Sequence, residues 1–183
     1  ERLVLPRLEQ LLPPGGLALE IGAGTGRFTL GLAQRAAEVT AVELSPAMAA
    51  CLGAKLRAEG HTNVRLLIGD VRRLELGTGY HLICALSSLE YLRELDELLP
   101  RLAAALRPGG VLLLTTARCS PLRFVVQLGN ALRQGIWLQA RSRGTLARQL
   151  RRAGLNPLEI SGHGLRVPGL HGGMLLLAVA RRP

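Results

Sequence analysis

The chain has 183 residues and is 48% hydrophobic, but only 3% of its residues are aromatic. That length favours one domain whose core is built mainly from aliphatic side chains. The apolar content excludes a disordered chain, and the lack of an internal repeat excludes collagen-like and low-complexity classes.

The formal net charge of +10 is distributed unevenly along the chain. Residues 1–100 hold ten Lys and Arg against twelve Asp and Glu, whereas residues 101–183 hold thirteen Arg against one acid, Glu159. Such a split can mark a surface for an anionic partner, either nucleic acid or a membrane. A compositional bias toward Arg is the alternative, but it does not explain why the acids almost stop after Glu97.

Cysteine usage and hydropathy bear on the compartment. Cys51, Cys84 and Cys119 show neither metal-ligand spacing nor a disulfide framework, so we expect reduced thiols and a cytoplasmic protein. No apolar run approaches the roughly 20 residues of a membrane span, and the first residues lack a secretory signal pattern. The chain begins at Glu1 rather than Met, which leaves room for residues before it.

Short apolar runs alternate with helical patterns, which predicts an α/β domain with a mostly parallel sheet. Ser45 is expected to cap the second helix, with Pro46 at its first position. The sequence RPGG at residues 107–110 predicts a turn. The predicted elements are strand 17–21, helix 27–35, strand 39–44, helix 46–59, strand 64–68, strand 80–86, helix 95–106 and strand 111–115.

The pattern loses regularity between residues 117 and 141 and then resumes. Ser142 or Thr145 can cap a helix that ends at Gly154. Residues 158–160 and 174–180 are predicted as the last strands, and the short connection between them favours an antiparallel pair. We interpret the chain as a single domain, with a core at 1–116, a variable segment at 117–141 and a C-terminal helix with two strands at 142–183.

A glycine-rich loop, EIGAGTG at residues 20–26, follows the first predicted strand and opens a helix. Glycines there let the backbone turn tightly and approach a ligand closely. A dinucleotide fingerprint would need glycine at position 27, where the chain has Arg27. A Walker-type phosphate loop would need Lys followed by Ser or Thr, and the chain's single lysine is Lys55. Both phosphate-binding interpretations are therefore weakened.

Three acids stand at the ends of three successive predicted strands: Glu20, Glu43 and Asp70. A carboxylate at the end of the second strand can accept hydrogen bonds from both ribose hydroxyls of a nucleotide. Ligands gather outside the carboxyl ends of parallel strands, so we expect the three acids at one site. An acid beside the glycine loop also suits a cationic ligand better than a pyrophosphate.

Five short motifs occur in order between residues 15 and 116. They are LEIGAGTG at 19–26, VELSPAM at 42–48, GDV at 69–71, LSSLEYL at 86–92 and LRPGG at 106–110. In these motifs the chain resembles class I S-adenosylmethionine-dependent methyltransferases, with a weaker resemblance at 142–180. The overall pattern is similar to the methyltransferases of ubiquinone and menaquinone biosynthesis.

The resemblance implies a fold, a cofactor and its binding residues. The fold is a Rossmann-like, mostly parallel seven-stranded sheet with helices on both faces and an antiparallel last strand between strands five and six. Glu20 would lie near the amino group of the methionine part of S-adenosyl-L-methionine, Glu43 would bind the ribose hydroxyls, and Asp70 the adenine amino group. The other implied residues are Gly22, Ala23, Gly24 and Gly26 around the methionine part, Leu44, Met48 and Val71 against the adenine, and Leu86 and Ser87 near the methionine part.

No catalytic base is predicted. A base is needed only where the acceptor is poorly ionised. His81 occupies a strand-four position where the family usually has an acid, and we interpret it as structural. Glu90 and Tyr91 follow strand four, near where an acceptor would bind, and Tyr91 is a candidate acceptor contact. The four histidines, His61, His81, His163 and His171, do not have the spacing of metal ligands, so no metal site is predicted. His163 and His171 lie in the last loop, from which they could reach the mouth of the site.

The segment at residues 120–141 mixes apolar side chains with Arg123, Arg133, Trp137 and Arg141. In the resembling family this place holds a variable lid over the acceptor. An apolar face edged by Arg suits an anionic membrane surface or a pocket for a long apolar acceptor. The alternative is a core helix with solvated Arg side chains.

Methyl transfer from S-adenosyl-L-methionine to a small-molecule acceptor, apolar or lipid- or quinone-like, is the leading functional hypothesis. One alternative is an RNA- or protein-directed methyltransferase that docks through its Arg-rich half, and another is a non-catalytic S-adenosylmethionine-binding module. Nucleic acid is not the expected partner. Nucleic-acid amino-methyltransferases of the resembling family carry an Asn/Asp-Pro-Pro-aromatic motif after strand four, where this chain has SSLE at 87–90. Few aromatic side chains could stack on bases.

Overall fold

The computed structural model describes residues 4–119, 138–163 and 175–183. Most of the predicted lid, at 120–137, lies outside these residues, as do His171 and Met174. The described strands, in chain order, are β1 Leu17–Ile21, β2 Glu38–Glu43, β3 Val64–Ile68, β4 Tyr80–Ala85, β5 Leu106–Ala117, β6 Asn156–His163 and β7 Leu175–Arg181.

The seven strands form one sheet in the order β3-β2-β1-β4-β5-β7-β6. Strands β1 to β5 pair in parallel, and β7 runs antiparallel to both of its neighbours, β5 and β6. The predicted Rossmann-like sheet, with a reversed last strand inserted before β6, is therefore confirmed.

Five α-helices accompany the sheet in the described residues. Ser45 caps the helix that begins at Pro46, as predicted, because its hydroxyl accepts a hydrogen bond from the Met48 amide at 3.4 Å. Of the two predicted caps for the last helix, Ser142 is the one used, and it accepts from the Thr145 amide at 3.1 Å. The helices are α1 Leu5–Leu11, α2 Thr29–Ala33, α3 Pro46–Ala58, α4 Leu95–Ala105 and α5 Arg143–Arg152, with a short 3-10 helix at Leu89–Tyr91.

The helices divide between two faces of the sheet. On one face, α1 and α2 bury Leu8, Leu12 and Leu32 against the sheet, and α3 packs beside them. On the other face, α4 and α5 bury their leucines against β1, β4, β5 and β7. This second face is a continuous aliphatic core, as the low aromatic content predicts.

Several elements differ from their predicted bounds, among them β6, which spans Asn156–His163 rather than 158–160. The predicted helix at 27–35 shortens to α2, because residues 24–28 are still turning out of the glycine loop. Strand β5 begins at Leu106 rather than Val111, since Leu106 pairs with Tyr80 before the predicted turn shifts the register. Helix α1 and the 3-10 helix were not predicted, because each is too short to show a clear apolar period.

The chain direction positions a binding site. The order of the strands reverses between β1 and β4, and ligands in open α/β sheets bind outside the carboxyl ends of the strands at such a point. Among the described residues, no helix combines the length and apolar character that crossing a bilayer requires.

Candidate cofactor cleft

A cleft of about 440 Å³ opens at the carboxyl ends of β1 to β4. Small-molecule sites in proteins usually measure about 300–1,000 Å³, so the cleft can hold a nucleoside-sized ligand. The lining residues are Ile21, Gly22 and Gly24 at the end of β1 and after it, Val42, Glu43, Leu44 and Met48 at the end of β2 and after it, Gly69, Asp70, Val71 and Arg72 after β3, and Ser87, Ser88, Leu89, Tyr91 and Leu92 after β4.

The loop after β1 has glycine at two positions of the cleft for different structural reasons. Gly22 has φ +76, and a side chain there would collide with Ser88, whose hydroxyl donates to the Ile21 carbonyl at 2.8 Å. Gly24 has φ +57, and a Cβ added there would meet no atom within 4 Å. Gly22 therefore lets the loop pack against the segment after β4, whereas Gly24 leaves an open cradle in the wall of the cleft.

Glu43 connects the glycine loop to the start of α3 at the cleft. Its Oε2 accepts a hydrogen bond from the Gly24 amide at 2.7 Å, and its Oε1 accepts one from the Ser45 amide at 2.8 Å. The side chain is buried, yet it lines the cleft. Each carboxylate oxygen has two lone pairs, so each retains one acceptor position for a ligand hydroxyl.

Glu20 is not at the surface of the cleft. It is only 2% exposed, and its Oε2 accepts a hydrogen bond from Thr29 Oγ1 at 2.5 Å. Burial raises the pKa of Glu20 to about 7, the Thr29 hydrogen bond opposes that shift, and the charge of Glu43 adds to it. Near neutral pH the Glu20 carboxyl is therefore partly protonated, and it joins the end of β1 to the start of α2.

Asp70 lies at the cleft with its carboxylate held by Arg72. The Arg72 Nη2 lies 2.6 Å from Asp70 Oδ2, and the Arg72 backbone amide donates to Oδ1 at 2.9 Å. The side-chain and backbone hydrogen bonds from Arg72 lower the pKa of Asp70 to about 2. Arg72 was missed by the sequence analysis, although its position two residues after an acid in the third motif was a usable signal.

The segment after β4 carries a backbone irregularity. Ser87 has φ +54, which is unusual for a residue other than glycine and costs on the order of 1 kcal/mol. Its amide donates to Thr115 Oγ1 at 2.8 Å, so the end of β5 holds the conformation in place. This geometry turns the segment toward the cleft.

Large apolar side chains are exposed inside the cleft. Leu44, Met48 and Tyr91 are 69%, 48% and 59% exposed, although most leucines of this protein are buried. Exposed apolar surface that lines a concave site is typical of a ligand-binding wall.

The structure brings eight of the twelve predicted cofactor-binding residues to the cleft: Gly22, Gly24, Glu43, Leu44, Met48, Asp70, Val71 and Ser87. The other four, Glu20, Ala23, Gly26 and Leu86, lie behind its lining. Gly26 is needed for packing, because a side chain there would approach Leu52 Cδ1 to 2.6 Å. The individual binding roles of all twelve remain predictions.

His81, His163 and the acid after β4 lie away from the cleft lining. His81 accepts a hydrogen bond from the Leu17 amide at 3.1 Å, at the opposite end of β1, which agrees with a structural role. His163 contacts Ser161 Oγ on the outermost strand, β6. Glu90 is only 5% exposed and does not line the cleft, whereas its neighbour Tyr91 does.

Arg141 is not solvated, contrary to the alternative interpretation of the segment at 120–141. Its side chain is only 6% exposed, and its guanidinium donates to the carbonyls of Leu89 and Leu92 at 3.4 and 2.8 Å and to Thr116 Oγ1 at 3.1 Å. Burial lowers the pKa of Arg141 from its ordinary value. These contacts tie the segment after β4 to the end of β5, because Arg141 itself pairs with that end at Arg118.

The residues present fit an adenosine-containing cofactor with an amino-acid part. The Gly24 cradle is open, the Glu43 oxygens can accept two ribose hydroxyls, and apolar side chains stand where a base would pack. Within residues 4–119, 138–163 and 175–183, no three His, Cys, Asp or Glu side chains are grouped to hold a metal ion.

Comparison with known proteins gives relatives that act on different acceptors. The chain is 36% identical over 107 residues to trans-aconitate 2-methyltransferase of Deinococcus radiodurans, covering 57% of this chain and 40% of that protein. It is 33% identical to malonyl-[acyl-carrier protein] O-methyltransferase of Serratia marcescens, covering 66% and 45%. It is 32% identical to dimethyladenosine transferase of Saccharomyces cerevisiae, covering 65% and 36%. The chain thus spans less than half the length of these curated relatives.

Solved structures share the fold over nearly the whole chain. The S-adenosylmethionine-dependent methyltransferase of Mesorhizobium loti superposes with a TM-score of 0.80 at 23% identity, over 97% of this chain and 96% of that one. Magnesium protoporphyrin IX methyltransferase of Synechocystis, solved with bound SAH (S-adenosylhomocysteine), gives 0.79 at 20% identity, over 100% and 81%. A family model described as a methyltransferase domain matches residues 18–110, half of the chain. The chain therefore belongs to the class I S-adenosylmethionine-dependent methyltransferases, and S-adenosylmethionine is its cofactor.

Proposed function

We propose that this protein transfers a methyl group from S-adenosylmethionine to a small-molecule acceptor. The observation that carries the proposal is the placement of Glu43, whose two oxygens bind the Gly24 and Ser45 amides and still face the cleft. A buried carboxylate in that position can accept both ribose hydroxyls.

The other cleft residues would hold the remaining parts of the cofactor. Leu44 and Met48 present apolar surface on which an adenine ring can pack, and Asp70 lies at the end of β3 where it can meet the adenine amino group. The Gly24 cradle and the turned backbone at Ser87 flank the place for the methionine part.

S-adenosylmethionine supplies an activated methyl group on its sulfonium when it is bound. The task of the protein is then to align the acceptor with that methyl group and to exclude water. Among the described residues of the cleft lining, the acids Glu43 and Asp70 already accept hydrogen bonds from the protein. This arrangement favours an acceptor that is nucleophilic without a dedicated base.

An apolar acceptor is supported by the wall that follows β4. Leu89, Tyr91 and Leu92 line the cleft there, and Tyr91 is more than half exposed. We therefore propose a small acceptor with an apolar, lipid- or quinone-like part that packs on this wall. The relatives that act on trans-aconitate and on malonyl-[acyl-carrier protein] are compatible with a small methylated group.

Isothermal titration calorimetry on ligand-free protein tests the proposal. We expect both S-adenosylmethionine and S-adenosylhomocysteine to bind with one site per chain, and failure to bind either would overturn the cofactor assignment. Incubation with a panel of quinols, fatty acids and carboxylic acids, followed by mass spectrometry, then tests transfer. Cofactor binding without a methylated product over the panel would favour the non-catalytic alternative.

A partner surface is supported by α5. Its four arginines, Arg143, Arg148, Arg151 and Arg152, are exposed, while Leu146 and Leu150 face the core. The helix contains no acid that could neutralise these charges. We propose that this face contacts an anionic membrane surface, to which each basic residue near the lipid contributes about 1 kcal/mol.

Vesicle sedimentation tests this contact. We expect binding to vesicles that contain phosphatidylserine but not to pure phosphatidylcholine, and we expect the charge reversals Arg148→Glu and Arg151→Glu together to abolish it. The control is Arg57→Glu, a single reversal of an arginine that is also exposed but lies on α3. Binding to single-stranded RNA that falls steeply with salt, without binding to vesicles, would overturn the membrane assignment in favour of RNA.

A further inference from the structure

The Asp70 carboxylate is mostly occupied by Arg72. Arg72 Nε lies 3.0 Å from both Asp70 oxygens, Arg72 Nη2 lies 2.6 Å from Oδ2, and the Arg72 amide donates to Oδ1 at 2.9 Å. An ionised carboxylate offers about four acceptor positions. Three N–H groups make these four contacts, because the Nε–H is shared between the two oxygens, and two of the three groups belong to the Arg72 side chain. They therefore occupy most of the acceptor positions and leave about one.

Arg72 has a second acidic partner that lies outside the cleft lining. Its Nη1 donates to Glu94 Oε2 at 3.1 Å, at the start of α4. The backbone under Arg72 is fixed from behind, because Arg101 on α4 donates to the carbonyls of Val71 and Leu74 at 3.0 and 2.6 Å. The side chain can therefore leave Asp70 while its backbone and its contact with Glu94 stay in place.

We propose that Arg72 competes with the adenine amino group of the cofactor for Asp70, and that Glu94 holds the Arg72 side chain when it releases Asp70. The inference rests on the proposed function, because it assumes that the adenine end of the cofactor lies beside β3. Arg72 is in this view a positioning residue. It orients the Asp70 carboxylate before the cofactor arrives, at a cost in affinity.

The solvent exposure of the Arg72–Asp70 ion pair limits the affinity that the competition costs. The side chains of Arg72 and Asp70 are 43% and 23% exposed, so water screens their attraction. Exposed ion pairs are weak, and losing one as a competitor changes an equilibrium by about fivefold at most. The exchange is therefore cheap enough for the cofactor to drive.

Calorimetric titration with S-adenosylhomocysteine tests the competition through three variants. Arg72→Met should bind about threefold to fivefold more tightly than the wild type, because Asp70 is then free. Glu94→Gln should bind more weakly than the wild type, since Arg72 loses its second anchor and stays on Asp70. The matched control Arg73→Met removes an exposed charge one residue further along, which acts on Asp70 only by its field, and should stay within about twofold of the wild type.

Two further titrations test whether the gain in affinity of Arg72→Met depends on the amino group of adenine. With S-inosylhomocysteine, in which a carbonyl oxygen replaces that amino group, Arg72→Met should give no gain in affinity. In an Asp70→Asn background, Arg72→Met should also give no gain.

The outcomes separate this inference from the proposed function. Wild-type protein that binds no S-adenosylhomocysteine would overturn the proposed function itself. Wild-type protein that binds, together with an Arg72→Met variant of equal or weaker affinity, would leave the cofactor assignment standing and overturn the competition. A gain that Arg73→Met reproduces would also overturn it, because net charge would then be the cause.

Discussion

The two halves of the sheet each bury a charged side chain but use it differently. In the half made of β3, β2, β1 and β4, Glu43 accepts from two loop amides and still faces the cleft. In the half made of β5, β7 and β6, Arg141 donates to carbonyls and a hydroxyl of the protein and does not line the cleft. A buried charge that keeps acceptor capacity at a cleft is available to a ligand, whereas one that lies away from the cleft and donates only to the protein supports the fold.

The charge difference between the halves has a similar explanation. The acids of the first hundred residues include Glu43 and Asp70 at the cleft, but Glu20 contributes less negative charge there because burial raises its pKa. Among the described arginines of the second half, Arg141 is buried and structural, whereas Arg143, Arg148, Arg151 and Arg152 form the exposed face of α5. The net charge of +10 is thus the sum of groups with different tasks.

The largest expected effect tests whether Arg141 serves the fold. Arg141→Met should lower the free energy of unfolding by about 4 kcal/mol, because buried carbonyls lose their donors. Urea denaturation followed by circular dichroism measures the change. The control Arg143→Met removes an exposed arginine two residues away and should change stability by less than about 0.5 kcal/mol. Equal effects of the two variants on stability would contradict a structural role for Arg141.

The next effect concerns Glu20 and its response to pH. The folded-state pKa of about 7 lies above the ordinary value of 4.5, so the folded protein retains this proton after the unfolded chain has released it. The stabilisation is complete below pH 4.5 and is lost as pH rises through about 7. Between those limits the wild type should lose about 3 kcal/mol relative to Glu20→Gln.

Urea titrations of both proteins at pH 5 and pH 8 measure this difference. The control Glu38→Gln changes an exposed acid at the start of β2 and should keep the wild-type pH profile. Parallel profiles for the wild type and Glu20→Gln would contradict the raised pKa.

Glu43→Ala tests whether the Glu43 carboxylate binds the cofactor. Loss of the carboxylate should weaken S-adenosylhomocysteine binding about 30-fold, because two charge-assisted hydrogen bonds are worth about 2 kcal/mol. Calorimetry measures the affinity. Glu38→Ala, at the other end of the same strand, should bind like the wild type, and an unchanged affinity of Glu43→Ala would refute the ribose assignment.

Met48→Ala has the smallest expected effect. The side chain is about half exposed on the cleft wall, so its removal should weaken S-adenosylhomocysteine binding about threefold, the value of a partly buried methylene group or two. Stability should not change, because little core surface is lost. Leu158→Ala, equally exposed but on β6, is the matched control and should leave the affinity unchanged.

Sequence patterns predicted the elements that depend on local spacing. The strands at residues 17–21 and 64–68, the Ser45 cap and the antiparallel last pair are confirmed, because strand period, capping chemistry and loop length are all written within a few residues. The family and its cofactor are also confirmed, since five motifs in order are specific. The start of β5 and the short α2 differ, because turns at their edges extend or shorten them.

The sequence by itself determined the fold, the glycine loop and the acids at three strand ends. Only the tertiary structure decided which acid faces the cleft and which arginine is buried. Glu20 and Glu43 end neighbouring strands, yet Thr29 and the core enclose the first while the second opens to the cleft. Burial is set by residues far away in the chain, as Leu89 and Thr116 are for Arg141. No local pattern encodes those neighbours, so the charge and the task of each buried group appear only when the sheet has assembled.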